Sequence, residues 1–216
     1  MSLVSHASRI RGRRGRRLSV AALAAAALLA LPTATASAAH APGSGTKDTK
    51  AVAAEDLYYN QLDITMQAQQ KTNWCWAASG NTIATWYGRN YSQNQFCNAA
   101  FDRAQGYDCP NWQATLGNVQ TGLRWAGISP GSYVNGWLRY STVVSEIDAD
   151  RPIETRIQWS SGGGHMHVVY GYDDENSLVY WGDPWPSSNR YNWASHSWYV
   201  NNNQFSWTHS LYRIGA

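Results

Sequence analysis

The composition of the first 38 residues of this 216-residue chain indicates which part of the chain folds and in which compartment. Six arginines between residues 9 and 17 precede an uncharged run, Leu18–Leu31, and small residues follow at Ala36 and Ala38. A basic segment, an apolar segment and an A-x-A-like site are the three parts of a secretory signal peptide, and this apolar run is too short to cross a bilayer. Residues 1–38 are therefore predicted to be a secretory signal peptide, with an N-terminal membrane anchor as the alternative.

Removal of residues 1–38 reverses the sign of the net charge. The whole chain carries +3 at pH 7, but the mature part keeps 11 of the 17 basic and all 14 acidic side chains, so its net charge is −3. Such a chain without a Lys/Arg-rich run lacks the positive surface that binds phosphate backbones. We expect no nucleic-acid partner, no membrane association after signal cleavage, and a secreted, extracellular protein. The Arg16-Arg17 pair leaves open whether export is general secretory or twin-arginine.

The exported part consists of a short leading segment and one domain. Residues 39–56 are small and polar and contain Pro and Gly, which predicts a linker or a short pro-segment. Residues 57–216 are rich in aromatic side chains, show no internal repeat, and are long enough to bury a substantial core. No pattern in this domain indicates a cofactor or an oligomeric state.

Three cysteines in an exported domain leave one thiol over when the others pair. Cys97 and Cys109 enclose a polar, Gly-containing segment that can fold back, whereas Cys75 lies between two tryptophans. We therefore predict a Cys97–Cys109 disulfide and a free Cys75. An inert buried thiol and a link between chains are the alternatives for Cys75.

The residues after Cys75 give the free thiol a chemical context. Apolar side chains recur at three- and four-residue offsets from Cys75 to a stop signal at Gly88, which predicts an amphipathic helix. Cys75 lies in its first turn, where unpaired N–H groups and the helix dipole favour a thiolate. A thiolate nucleophile needs a base, a group that orients the base, and donors for the oxyanion formed when a carbonyl is attacked.

Candidate bases follow a glycine run. His165 and His167 come directly after three glycines, and the β-branched and aromatic residues beyond them predict a strand in which both histidines share one face. Gly163 and Gly164 allow a substrate backbone to approach closely. A second predicted strand ends at Asp183, in a position where catalytic groups are commonly presented.

Four blocks of the sequence resemble the papain-like cysteine peptidases in order and spacing. The motifs NWCWAAS and GGGH resemble most closely the papain-like avirulence proteases of plant-pathogenic bacteria and their relatives in secreting bacteria, over about residues 67–185. The blocks are Gln69-(x)5-Cys75-Trp76-Ala77, then His165, then Gly171-Tyr172, then Asp183-Pro184-Trp185.

The resemblance implies a role for each matching residue. Cys75 matches the nucleophile, His165 the general base and Asp183 the group that orients the imidazole. The side-chain amide of Gln69 matches an oxyanion donor, next to the backbone N–H of the nucleophile. Trp76 belongs to the nucleophile block, and Trp185 matches a tryptophan that shields the His–Asp hydrogen bond from water.

Two positions leave the assignment open. Gln70 adjoins Gln69, so either amide is a candidate for the oxyanion hole. His167 stands where the family usually has an apolar residue, and it is the alternative base or a neighbouring polar group.

The resemblance and the sequence pattern together predict an α+β fold in which a helical half packs on an antiparallel sheet and the active site lies between them. The implied activity is that of a secreted cysteine endopeptidase acting on proteins or peptides. The predicted helices are 75–88, 93–105, 114–126 and 141–149, and the predicted strands are 153–159, 165–172, 177–182, 195–200 and 204–212.

Three other functions remain as alternatives. A peptidoglycan peptidase uses the same Cys–His chemistry. A non-enzymatic module would use the C-terminal tryptophans as platforms for sugar rings, but it leaves the free thiol without a role. His165, His167 and Asp183 also form a donor set that suits catalytic zinc, although HExxH and CxxC motifs are absent from the sequence. We therefore predict no metal site.

Overall fold

The helix that carries Cys75 lies in the middle of the fold. In the computed structural model, which describes residues 59–216, α1 spans Cys75–Trp86, and every residue from Trp76 to Ala84 is buried. A helix covered on all faces belongs to the core. Gly80 makes this packing possible, because a Cβ there would lie 2.6 Å from the Phe96 ring.

Three further helices complete the helical half. Helices α2 and α3 begin with full capping boxes, formed by Ser92 with Gln95 and by Thr115 with Asn118. Each box satisfies backbone N–H groups that a helix start would otherwise leave unpaired. The helices are α2 (Gln93–Ala100), α3 (Leu116–Trp125) and α4 (Tyr140–Ile147).

The other half is a seven-stranded antiparallel sheet with the order β2-β7-β3-β4-β5-β6, and β1 pairs additionally with β4. The central strand β4 is buried along almost its whole length, with α1 packed against it. The strands are β1 (Tyr59–Gln61), β2 (Ser132–Val134), β3 (Ile153–Trp159), β4 (Gly164–Asp173), β5 (Leu178–Gly182), β6 (Tyr191–Ser195) and β7 (Phe205–Tyr212). This arrangement confirms the predicted α+β class.

The predicted strand at 195–200 is wrong. Residues His196–Val200 form a short helix, α5, because the Ser195 hydroxyl accepts a hydrogen bond from the Trp198 N–H and caps the turn. The preceding residues form β6 at the sheet edge, and the two short strands β1 and β2 were not predicted either. The predicted helix 93–105 is too long, since the chain leaves the helix at Phe101 and takes a positive φ at Asp102.

The disulfide is present as predicted and supports the start of α1. Cys97 and Cys109 are bonded with their Cα atoms 6.0 Å apart, and Cys75 is free. The chain that follows Cys109 contacts the chain around Cys75: the indole N–H of Trp74 donates to the Pro110 carbonyl, and that of Trp76 to the Trp112 carbonyl, at 3.0 Å each. We call residues 108–112 the buttress segment.

Two expectations concern residues beyond the described part. The predicted signal peptide, 1–38, and the linker or pro-segment, 39–56, lie outside the described residues, as do the first two residues of the predicted domain 57–216. Within residues 59–216, none of the helices has the length and apolar character needed to cross a membrane.

Candidate active site

One cleft brings the predicted catalytic residues together at the junction of the helices and the sheet. It has a volume of about 710 Å³, and its lining includes Cys75 from the first turn of α1, His165 from the start of β4, and Asp183 from just beyond β5. The nucleophile and the base candidates therefore come from opposite walls, as the sequence predicted.

His165 contacts one of its predicted partners and shares the cleft lining with the other. Its Nε2 lies 2.7 Å from Asp183 Oδ1, which leaves Nδ1 free to face Cys75. Burial lowers the pKa of His165, but the interactions with Asp183 and Cys75 outweigh this effect and raise the pKa from 6.5 to about 9. His165 is thus an imidazolium at neutral pH.

Asp183 is held as a carboxylate. Burial raises its pKa, but the hydrogen bond from His165 and the nearby histidine rings more than compensate, and the Trp185 N–H adds a bond of 2.8 Å to Oδ1. The net result is a pKa below its ordinary value of 3.8. The pair is therefore charged on both sides and buried, a geometry in which neither partner titrates near neutral pH.

His167 lies on the same face but has a different environment. The Tyr199 hydroxyl is 3.1 Å from its Nδ1 and 2.7 Å from the Thr155 hydroxyl, while its Nε2 lies 3.8 Å from Asp183 Oδ2 with no hydrogen-bond partner. Burial and the charge of His165 lower the pKa of His167 to about 3, so this ring is neutral. Of the two histidines, only His165 is part of the cleft lining that includes Cys75.

The hydrogen bonds among Thr155, Tyr199 and His167 determine which nitrogen of His167 carries the hydrogen. If the Thr155 hydroxyl donates to the Tyr199 oxygen and the Tyr199 hydroxyl donates to His167 Nδ1, both hydroxyl hydrogens have an acceptor. The hydrogen of His167 is then on Nε2 and faces the Asp183 carboxylate. The opposite tautomer would turn a nitrogen lone pair towards Asp183 Oδ2 and leave a buried hydroxyl hydrogen without an acceptor, which is costly. The surroundings therefore select the Nε2–H tautomer of His167.

The distance between His165 and Asp183 disfavours a zinc ion at this site. Ligand atoms of His165, His167 and Asp183 lie within 4.8 Å of one another. However, two ligands of a tetrahedral zinc ion lie roughly 3.3 Å apart for metal–ligand distances near 2.0 Å, whereas His165 and Asp183 are only 2.7 Å apart. Zinc binding would have to break the ion pair.

The oxyanion donors are arranged differently from the expectation. Both amide hydrogens of Gln69 are engaged, at 2.9 Å to the Lys71 carbonyl and 2.8 Å to the Thr72 carbonyl, and Gln69 is absent from the cleft lining. Gln70 is exposed. Helix α1 has no side-chain cap, so N–H groups of its first turn, including that of Cys75, are the donors that lack side-chain partners.

The predicted supporting residues occupy the cleft and its rim. Gly163 has a φ of +80°, a left-handed conformation that disfavours other residues, and it lines the cleft with Gly164. The rings of Trp185 and His165 form an edge-to-face pair with centroids 6.3 Å apart. Trp76 also lines the cleft, although almost all of its side chain is buried. Trp159, which the sequence analysis did not select, stacks on His165 at 5.9 Å.

Sequence reasoning missed two charged residues of β3. Glu154 is fully buried with both carboxylate oxygens unpartnered, and burial, then the charge of Cys75, raise its pKa well above 4.5. Arg156 lines the cleft. The signal that would have identified them is the placement of two charges at alternate positions of a predicted strand, IETRIQW, whose other alternate positions are mostly apolar.

The comparisons with solved structures gave distant similarities. A double glycine motif protease from an AMS/PCAT transporter, solved with its leader peptide, is 14% identical with a TM-score of 0.47, over 71% of this chain and 93% of the other. Xylellain, a cysteine protease from Xylella fastidiosa, is 10% identical with a TM-score of 0.46, over 71% and 85%. No curated protein sequence matched.

A protein-family model also matches this sequence. The model described as papain-like cysteine protease AvrRpt2 matches residues 58–204 and therefore covers the helical half, the cleft and most of the sheet. Because this match spans well over half of the chain, the protein belongs to the family of the papain-like cysteine protease AvrRpt2.

Proposed function

We propose that this protein is a secreted cysteine endopeptidase in which Cys75 is the nucleophile, His165 the acid and base, and Asp183 the group that orients His165. The observation that carries the proposal is the buried His165–Asp183 contact of 2.7 Å, with His165 and Cys75 in the lining of the same cleft. Family membership confirms the resemblance stated from the sequence and the protease class.

The proposed reaction starts from the thiolate of Cys75 and the imidazolium of His165. The thiolate attacks the peptide carbonyl carbon and a C–S bond forms. The resulting oxyanion accepts a hydrogen bond from the Cys75 backbone N–H at the uncapped start of α1. His165 then gives its proton to the leaving amine as the C–N bond breaks. Water attacks the thioester, His165 takes its proton, and the acid product leaves with regeneration of the thiolate.

His167 acts in this proposal as a positioning residue. Asp183 Oδ1 already accepts hydrogen bonds from His165 and from the Trp185 N–H. Oδ2 faces the Nε2–H of His167 at 3.8 Å, and a neutral donor on that side keeps the carboxylate plane aligned with His165 without competing for its negative charge. Tyr199 and Thr155 hold the ring of His167 in the required tautomer.

Gln69 has a supporting part as well. Its two bonds to the Lys71 and Thr72 carbonyls shape the loop that leads into Cys75. For Gln69 to donate directly to the oxyanion, its amide has to leave at least one of these carbonyls when substrate binds. Its direct role in the oxyanion hole stays a prediction.

Export and an extracellular site of action are part of the proposal. They are supported by the signal-like residues 1–38 and by the disulfide, which suits an oxidising compartment. Protein or peptide, rather than peptidoglycan, is the proposed substrate class because the family is one of proteases.

The test combines labelling with cleavage. Iodoacetamide without reductant should add one adduct, on Cys75, and peptide mapping should recover the Cys97–Cys109 bridge. The wild-type protein should cleave casein or a peptide library, and Cys75→Ala should not. Cleavage that survives Cys75→Ala, or a Cys75 that does not react, would show that the catalytic assignment is wrong. Hydrolysis of peptidoglycan but not protein would replace the substrate class.

A further inference from the structure

One of the charged side chains that line the cleft has no ion-pair partner. The lining contains one arginine, Arg156, and one carboxylate, Asp183, and that carboxylate is already paired with His165. None of the ion pairs among residues 59–216 includes Arg156. The guanidinium of Arg156 is thus a permanent positive charge at the cleft without a counter-ion in the described part of the chain.

The structure fixes the position of this guanidinium. Its Nη1 donates to the Thr208 hydroxyl at 2.9 Å and its Nη2 to the Gln158 side-chain oxygen at 3.0 Å, and both partners are neutral. A guanidinium has five N–H donors in a rigid plane, so N–H groups remain for a ligand. Because two neighbours already orient the plane, little side-chain entropy is lost when a carboxylate binds.

The guanidinium also lies against the residue that precedes His165. It packs against Gly164, where a Cβ would meet Nη2 at 2.6 Å, and Gly164 directly precedes His165. Met166, on the other side of His165, pairs with Arg156 across the two strands and lines the same cleft. An extended peptide advances about 3.3 Å per residue, so a side chain that reaches Arg156 belongs to a residue close to the scissile bond.

We propose that Arg156 makes the cleft selective for peptide substrates that carry an aspartate or glutamate side chain within two residues of the scissile bond. This inference rests on the proposed function of the same cleft. The acidic side chain supplies the missing counter-ion and forms a charge-assisted, two-pronged hydrogen bond with the guanidinium. A lysine or arginine at that substrate position is rejected by like charge, so the selectivity has an attractive and a repulsive part.

The experiment is a positional peptide library, followed by matched peptides that differ only in Glu, Gln or Lys at the preferred position. For the wild-type protein, we expect kcat/KM for the Glu peptide to exceed that for the Gln peptide by about tenfold, the typical gain from a hydrogen bond between charged groups. The Lys peptide should be the poorest substrate. A wild-type library without an acidic preference at any position near the scissile bond overturns the proposal without the need for a variant.

Variants test whether Arg156 is the cause. In Arg156→Gln the Glu/Gln ratio of kcat/KM should fall to about one, whereas Arg156→Lys should keep part of the preference because it retains the charge but not the planar fork. Arg124 is a matched control: it is exposed at the end of α3, is absent from the cleft lining, and Arg124→Gln should leave the ratio unchanged. An unchanged ratio in Arg156→Gln refutes the assignment.

Cys75→Ala separates this inference from the proposed function. If Cys75→Ala still hydrolyses the Glu and Gln peptides, the proposed catalytic function is wrong. If Cys75→Ala is inactive while the wild-type protein cleaves both peptides equally well, only the role of Arg156 is wrong.

Discussion

The two walls of the cleft are held by different kinds of interaction. On the helical wall, the chain around Cys75 is fixed mainly by hydrogen bonds from indole and amide groups to backbone carbonyls of the buttress segment. On the sheet wall, His165 belongs to a buried network of ionised and hydroxyl side chains. The helical wall therefore determines where the nucleophile lies, and the sheet wall determines which groups carry protons.

This contrast predicts two classes of variant. Changes in the sheet wall should move the pH dependence of kcat/KM, because they alter the pKa of His165. Changes in the helical wall should lower the rate or the stability and leave the pH dependence in place. The predictions below follow in order of decreasing expected effect.

The largest effect is expected for Asp183→Asn. In the wild-type protein kcat/KM should fall as the pH rises through about 9, because the imidazolium of His165 is lost there. Without the Asp183 charge this alkaline limb should move to lower pH, and kcat/KM at neutral pH should fall by about 10²–10⁴-fold. Pre-steady-state and steady-state rates across pH 5–10 measure both quantities.

Asp174→Asn provides the control for that experiment, since Asp174 is an exposed carboxylate absent from the cleft lining. Its pH profile should coincide with that of the wild-type protein. An unmoved alkaline limb in Asp183→Asn would refute the assignment of this limb to the His165–Asp183 pair.

On the helical wall, Gln69→Ala should lower kcat by about 10²-fold or more, the range found when an oxyanion-hole donor is lost. The melting temperature should fall as well, because the loop loses the two bonds to the Lys71 and Thr72 carbonyls. The pH profile should keep its alkaline limb. Gln70→Ala is the matched control, since its exposed side chain should be dispensable for both quantities. Equal effects of the two substitutions would contradict the choice of Gln69.

His167→Leu should reduce kcat by up to about 100-fold, as expected for a small misplacement of a catalytic group. The alkaline limb should move below about 9, because a poorly oriented Asp183 supports the His165 charge less well. His167→Gln restores an N–H donor and should recover part of the rate and of the limb. A lower melting temperature with an unchanged alkaline limb of the pH profile would show that His167 is only a packing residue.

The smallest effect on the chemistry is expected from the disulfide. Replacing Cys97 and Cys109 by serine removes a loop constraint worth about 3 kcal/mol, which corresponds to a fall in melting temperature of roughly 6–12 °C for a domain of this size. The rate at 25 °C should fall only modestly and the pH profile should not move. Thermal melts and rates of the double variant measure these effects, and a shifted limb would contradict the division between the walls.

Local sequence signals were sufficient for the elements that position the nucleophile. The start of α1 at Cys75, the disulfide and the two strands that present His165 and Asp183 follow from helix, strand and cysteine patterns. Cysteine pairing and the helix and strand patterns also indicated Cys75, the two histidines and Asp183 as candidates, whereas their individual roles and the choice of Gln69 and Trp185 came from the resemblance to a family.

The missing parts depend on contacts between distant segments. The partner of His167 is Tyr199, 32 residues further along the chain, in a short helix within the segment that was predicted as a strand. The Gln69 amide donates to two carbonyls of the loop that follows it. The path of that loop has no repeating sequence pattern from which it could be predicted. Arg156 gains its importance only because β3 places it beside Gly164.

The three cysteines of this domain need different oxidation states, and the buttress segment connects them. Cys109 anchors the segment through its bond to Cys97, and the segment supports the loop that carries Cys75, which must itself stay a thiol to react. Strong oxidants should inactivate the protein by oxidising the Cys75 thiol. Strong reductants should break the Cys97–Cys109 disulfide, which anchors the buttress segment. Activity consequently requires that the Cys97–Cys109 pair stays oxidised while the Cys75 thiol does not become oxidised.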